Sequence, residues 1–266
     1  MRQKHINLTA YDDCELKEFY DTPEKLDEYR RHLFLKTEGQ KEFISKLFSG
    51  KFTMLEACSG NSRLLYSLAP YLIHGVGVEI SKPRYEFAEA WKKALAIHNI
   101  TNINSDIMKY ESRGECDLVA IMTNAFMYFE PIDRTYPLKL LKRCNTWLRP
   151  SGKLIMELRD YGSILNSAKC NGNKATVEIT FPKADPFVGT KTTYKWDAEN
   201  KYLDLNEVFT GRAYGAQYDR HEILRVYNLN EIKELLGQAG FKKCSVYKNT
   251  VAPEPSEDKI IVIAEK

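Results

Sequence analysis

Two acids, each closing a short apolar run, are the residues in this 266-residue sequence whose type and position suggest chemistry. Glu56 ends the run Phe52–Leu55 and opens a turn of small residues, Ala57-Cys58-Ser59-Gly60, before a helical pattern from Arg63 to Leu68. Glu79 closes a second apolar run beginning at Ile73, and Ser81-Lys82-Pro83 after it reads as a helix N-cap with proline in the first turn. Both stretches predict a buried strand, a tight loop and a helix start. A dinucleotide site would put a diphosphate at such a loop, and an acid there repels it. A carboxylate in that place suits a ligand carrying an ammonium group. An acid at the end of a neighbouring parallel strand suits a ribose diol.

In motif order over residues 40–160, these stretches resemble the class I S-adenosylmethionine-dependent methyltransferases of the small-molecule-modifying type. The family pattern Glu/Asp-x-Gly-x-Gly-x-Gly reads Glu56-Ala57-Cys58-Ser59-Gly60-Asn61-Ser62 here, so Gly60 alone survives of three glycines. Leu148–Leu154 resembles the family's late motif. The resemblance implies S-adenosyl-L-methionine as cofactor, with S-adenosyl-L-homocysteine as product and no metal. It implies that Glu56, Ala57, Cys58, Gly60 and Arg63 hold the methionine end, and that Glu79 and Ile80 hold the ribose. Asp106 and Ile107 would bracket the adenine, although Asp106 is equally readable as the cap of a short turn. Thr123 and Asn124 end the apolar run Asp117–Met122 and are expected at the reacting edge, since ligands of open parallel sheets bind beyond the strand ends.

The elements that must position these residues follow from periodicity. Helices are predicted from Thr22-Pro23 through Phe34, from a capping-box pattern at Thr37-Glu38-Gly39-Gln40 to Phe48, over Arg84–Ile97, and over Asp133–Leu148. A capping box at Asn228-Leu229-Asn230-Glu231 starts another helix, ending near Ala239-Gly240. Strands are predicted at Ile100–Asn104, Lys153–Glu157, Phe241–Tyr247 and Lys259–Ala264, with a surface loop over Val251–Asp258. Four more, Val177–Phe181, Thr190–Trp196, Tyr202–Phe209 and Glu222–Tyr227, read as an antiparallel group with a hairpin turn at Asp197–Asn200. The expected fold is α/β: a seven-stranded, mostly parallel Rossmann-like sheet with helices on both faces, an N-terminal helical arm and an inserted small antiparallel sheet. The expected division is an arm or lid over 1–36, a cofactor domain over 37–174 and 228–266, and an inserted cover over 175–227.

Acceptor chemistry rests on fewer residues. His221, beside Tyr218 and Arg220 in the insert, is the first candidate for a general base, with Tyr128 and Glu157 behind it; an exposed strand histidine is the plainer reading. Tyr11 and Tyr20 in the arm are lid and substrate candidates, or they simply pack the arm. Arg134, Arg159, Arg212 and Arg220 fall on segments expected near the cleft mouth. Arginine binds carboxylate and phosphate bidentately, so the expected substrate is a small anionic metabolite, a phosphorylated compound or nucleotide sugar, methylated on oxygen or nitrogen. Solvated surface charge is the alternative for each arginine.

Composition narrows the partners. With 39 basic and 36 acidic residues the net charge of +3 is too balanced to argue for nucleic acid. No apolar stretch predicts a membrane span or a secretory leader. The six cysteines show no Cys-x-x-Cys spacing, which predicts reduced thiols in a cytoplasmic protein. The insert offers a surface for a homodimer. An RNA or tRNA methyltransferase on the same scaffold and a non-catalytic cofactor-binding partner protein are the competing readings. Salt-sensitive RNA retention would mark the first, and cofactor binding without product the second.

Overall fold

The structure is a computed structural model that describes residues 23–112, 114–183, 185, 187–212, 215, 217–248 and 259–266. The described residues divide into two compact units, one of 23–35 with Tyr161–Val226 and one of Lys36–Asp160 with Tyr227–Lys266. The boundary between them falls inside the first described helix, α1 (Pro23–Ser45). No described helix is long and apolar enough to cross a membrane.

The larger unit holds the expected seven-stranded sheet. Its strands are β1 (Phe52–Ala57), β2 (Leu72–Glu79), β3 (Ile100–Asn104), β4 (Cys116–Ile121), β5 (Leu148–Arg159), β10 (Lys243–Lys248) and β11 (Lys259–Glu265). Their order is β3-β2-β1-β4-β5-β11-β10. Pairs among β1 to β5 are parallel, and β11 runs antiparallel to both β5 and β10. All six residues of β4 are buried, as a central parallel strand covered on both faces requires. The strand order reverses between β1 and β4, and in open α/β sheets the crevice at such a reversal is where ligands sit.

Helix α2 (Arg63–Leu68) follows β1, and α3 (Lys82–Ala94) follows β2 with Ser81 Oγ capping the Arg84 N–H. A four-residue helix α4 (Phe129–Ile132) precedes α5 (Tyr136–Trp147), which packs on β4 and β5. The predicted capping box at Asn228 is formed: Asn228 Oδ1 accepts from the Glu231 N–H and Glu231 Oε2 from the Asn228 N–H, both at 2.9 Å. It starts α7 (Leu229–Gln238).

Three local expectations are corrected. The two predicted N-terminal helices are one, because Thr37 and Gln40 use their side chains on distant partners instead of capping a helix start. The glycine between these two residues, Gly39, costs about 1 kcal/mol in a helix interior, and the helix runs through it. The fourth predicted helix begins at Tyr136, since Asp133 accepts hydrogen bonds from the Thr135 N–H and hydroxyl and holds a turn ahead of it. The turn Arg149-Pro150-Ser151-Gly152 lies inside β5, carried by Ser151 in the left-handed region at φ 64°.

The smaller unit contains α6 (Gly162–Cys170), which periodicity did not predict, and an antiparallel meander. Its strands, β6 (Lys174–Thr180), β7 (Phe187–Asp197), β8 (Tyr202–Gly211) and β9 (Gln217–Arg225), pair in chain order. Each is shifted or extended relative to the sequence reading, β9 most, since it starts at Gln217 and ends at Arg225. The β7–β8 turn is tied by Asp197, whose Oδ1 accepts from the N–H groups of Glu199 and Asn200 at 3.1 Å each. Alternation gives the sheet a buried face (Tyr194, Leu203, Leu205 and Leu224) and an open face (Lys195, Asn206 and His221). Helix α6 packs against β6 and β7.

Candidate active site

The carboxyl ends of β1, β2, β3 and β4 carry the residues that the sequence singles out for a cofactor. After Glu56 and Ala57 the chain turns through Cys58, Gly60 and Ser62 with φ of 58°, 56° and 58°. These are the three glycine positions of the family pattern. The backbone therefore keeps the left-handed conformation that glycine adopts freely, with two residues for which it costs roughly 1–2 kcal/mol each. The close packing of the loop and α2 onto β2 is supplied from the opposite side. A Cβ on Gly77 would meet Ser59 Oγ at 2.8 Å and Leu65 Cδ1 at 2.9 Å. The Ser59 N–H bonds the Val78 carbonyl at 3.1 Å, which seats the loop on β2.

Glu79 is buried at the end of β2, and both its oxygens take backbone donors, the Gly60 N–H and the Ser81 N–H, each at 2.7 Å. One carboxylate thus fixes the β1 loop and the start of α3 together. Ile80 beside it is 61% exposed, an apolar surface at the strand end. Asp106 Oδ1 accepts the Met108 N–H at 2.9 Å, forming the short turn that the plainer reading foresaw, and Ile107 is buried beneath it.

Glu56 is 5% exposed and its Oε2 is buried without a hydrogen-bond partner among the described residues. Burial pushes its carboxyl up to about 8; the Arg63 guanidinium pulls the other way, and the charges of Glu79 and Glu157 add to the rise. Glu157, near the end of β5, is also buried but satisfied, accepting from Gln40 Nε2 at 2.5 Å and lying 3.4 Å from Lys259 Nζ. Arg63 donates to Thr37 Oγ1 at 2.6 Å and to Thr123 Oγ1 at 3.4 Å. Thr123 and Asn124 both have positive φ, 53° and 62°, which turns the chain sharply off β4, and the Asn124 N–H bonds the Glu157 carbonyl at 3.1 Å. Burial raises the Cys58 thiol well above its usual range, so it stands as a neutral group beside the acids.

The structure brings together Glu56, Ala57, Cys58, Gly60, Arg63, Thr123 and Asn124 around this edge, and Glu79 and Ile80 beside the same loop. Sequence reasoning missed Thr37 and Gln40 as site residues. Their i, i+3 spacing puts them on one helix face, and the same spacing reads as a capping box in the sequence. Lys259 and Gly77 were also missed, and no local signal marks either.

The acceptor candidates are dispersed. Tyr128 is half-buried in the short 3₁₀ turn Ala125–Tyr128, and Arg159 ends β5. Arg220 and His221 are successive residues on β9, so their side chains take opposite faces of the meander. Arg220 lies 2.6 Å from Glu222 and 3.2 Å from Glu207, on the face that buries Leu205 and Leu224. His221 is on the open face, half-exposed, with Nε2 2.7 Å from Asp204 Oδ1. Arg212 donates to the carbonyls of Asp185, Pro182 and Phe187, at 2.9, 3.0 and 3.0 Å. Tyr11, Tyr20 and the expected loop over Val251–Asp258 lie outside the described residues.

No family model matches the sequence, and no curated protein matches it at a significant level. Solved structures do match. The CcbJ methyltransferase of Streptomyces caelestis superposes with a TM-score of 0.67 at 14% identity, over 92% of this chain and 93% of that one. An S-adenosylmethionine-dependent methyltransferase of Clostridium acetobutylicum gives 0.64 at 15% identity, over 80% and 83%. CalS10, an amino pentose methyltransferase of Micromonospora echinaspora solved with S-adenosylmethionine bound, gives 0.57 at 12% identity, over 96% of each chain. The chain has the class I fold of the S-adenosylmethionine-dependent methyltransferases.

Proposed function

We propose that the protein is an S-adenosyl-L-methionine-dependent methyltransferase acting on a small molecule. The observation that carries the reading is the orphaned, buried Oε2 of Glu56 at the carboxyl edge of β1, next to Arg63. A buried carboxylate oxygen without a donor is costly, and an ammonium supplies one. Arg63, steadied by Thr37, is suited to the carboxylate of the same amino-acid tail. Glu79 accepts one N–H per oxygen and retains acceptor capacity for a ribose diol, because a carboxylate offers about four lone-pair sites. The second oxygen of Asp106 is the candidate partner for the adenine amine.

When bound, S-adenosylmethionine supplies an electrophilic methyl group on a sulfonium. The chain's part is then to hold the cofactor by its charged tail and its ribose, and to present an acceptor in line. Positioning of that kind is worth up to about 7–11 kcal/mol. An amine acceptor entering in its neutral form needs no residue to remove a proton before attack, whereas a hydroxyl gains roughly 10²–10⁴-fold from a placed base. The arginine argument for an anionic acceptor is thinned by Arg212 and Arg220, both held by protein oxygens. We therefore favour a sugar-like acceptor with an amine or hydroxyl, the class to which the aminosugar enzyme among the structural neighbours belongs. The test is calorimetry with S-adenosylmethionine and S-adenosylhomocysteine, followed by a mass screen of amino-sugar and phosphorylated acceptors for one added methyl. Absence of binding by both nucleosides would overturn the assignment.

A further inference from the structure

Three buried acids converge at this sheet edge, and they are not equivalent. Glu79 has a backbone donor on each oxygen. Glu157 has Gln40 on one oxygen and Lys259 on the other. Glu56, between them on β1, has a buried oxygen with no donor among the described residues. Among the described residues the cation that acts on it is Arg63, which turns its guanidinium to Thr37 and Thr123. Among the described residues, Cys58 in the loop and Tyr66 on α2 also feel its charge, and burial raises both, so neither brings charge. An ionised Glu56 would thus sit desolvated between two further acids, with its compensation diverted.

We propose that Glu56 is a proton-coupled specificity residue: it carries a proton when its site lacks a cation, and releases that proton to solvent when a ligand ammonium takes its place. The inference rests on the methyltransferase reading and extends it. The exchange balances as one proton out for one ammonium in. Glu56–COOH and ligand –NH₃⁺ become a carboxylate–ammonium pair, and H⁺ passes to the buffer; no bond to carbon or sulfur changes. A nucleoside without the ammonium leaves the proton in place and gains nothing from Glu56. The site therefore discriminates by charge, rewarding an amino-acid tail and ignoring its absence, and the reward grows with pH. Below the carboxyl's raised value of about 8, each pH unit should tighten an ammonium ligand by up to about tenfold, while a ligand without it is indifferent.

The experiment is titration calorimetry at pH 6 and 7 in buffers of different ionisation enthalpy. The slope of observed enthalpy against buffer enthalpy counts protons exchanged. Two ligands are compared, S-adenosylhomocysteine and 5′-methylthioadenosine, the second being a related nucleoside thioether without the amino-acid tail; both lack the sulfonium charge. The expected result is release of close to one proton with S-adenosylhomocysteine and none with methylthioadenosine. In Glu56→Gln the release should vanish and S-adenosylhomocysteine should lose its pH dependence, with methylthioadenosine affinity unaltered. S-adenosylhomocysteine binding without proton release, or release with both ligands, would overturn the inference and leave the methyltransferase reading standing. If neither ligand bound the wild-type protein, both would fall. The wild-type comparison decides the matter even if the variant does not fold.

Discussion

Glu79 is the residue whose removal tests the site most directly, because its two hydrogen bonds exist before any ligand arrives. In Glu79→Gln one amide oxygen can still accept from either Gly60 or Ser81, but the amide nitrogen then faces the other N–H, donor against donor. One charged hydrogen bond is lost and one buried N–H is stranded, worth about 1.5–3 kcal/mol. Removing the negative charge at the start of α3 adds about 0.3–1 kcal/mol. The ligand-free variant should therefore unfold in urea at a lower midpoint, with roughly 2–4 kcal/mol less stability. Affinity for S-adenosylhomocysteine should fall by about 10–150-fold by calorimetry, since each 1.4 kcal/mol is tenfold. A group that only gripped ribose would lose affinity and keep its stability. A ligand-free variant within about 0.5 kcal/mol of wild type would refute the reading of Glu79 as the brace of the β1 loop, and unchanged affinity would remove the ribose assignment.

Three further outcomes follow from the same geometry. Thr37→Val keeps the shape of a fully buried side chain but removes the acceptor of Arg63; affinity for S-adenosylhomocysteine should drop roughly tenfold or more with the circular dichroism spectrum unchanged, and an unaltered affinity would mean that Arg63 is placed without it. His221→Ala, on the open face of the meander, should change stability by less than about 0.5 kcal/mol and leave turnover intact; a fall of a hundredfold would return His221 to the role of base. The ligand-free protein should lose stability as pH rises from about 4.5 to about 8, by up to about 1.4 kcal/mol per unit from Glu56. The sign follows because the folded carboxyl binds its proton more tightly than the unfolded one: its contribution is full below the unfolded value and is lost as pH passes the folded one. Urea midpoints across that range should decline in wild type and flatten in Glu56→Gln.

The parallel half of the sheet was legible because its signals are local. A continuous apolar run bounded by turns is enough for β4, and an apolar run closing on an acid marks β1 and β2. The capping box at Asn228 is equally local, and it formed. At Thr37 the same kind of pattern failed. Nothing within a few residues reveals that the Thr37 hydroxyl will meet Arg63 or that Gln40 will meet Glu157, and those distant partners hold the helix unbroken from Pro23 to Ser45. Pattern rules assume that a polar side chain satisfies its neighbours' backbone; a buried partner across the fold overrides them.

The loop and the acceptor candidates show two different limits of local reading. Counting glycines undervalues Glu56–Ser62, because what the loop requires is positive φ at three places, and Cys58 and Ser62 adopt it at a cost the surrounding fold absorbs. The missing Cβ that close packing needs can come from either side of a contact, and Gly77 provides it from the strand beneath. For the acceptor candidates the sequence reading begins the strand at Glu222; its start at Gln217 puts Arg220 and His221 on β9, where adjacent residues face opposite ways. Burial then distinguishes them. The arginine lies on the covered face with Glu207 and Glu222, and the histidine on the open one with Asp204. His221 is the one histidine among residues 175–227, and it stands on the open face with Asp204.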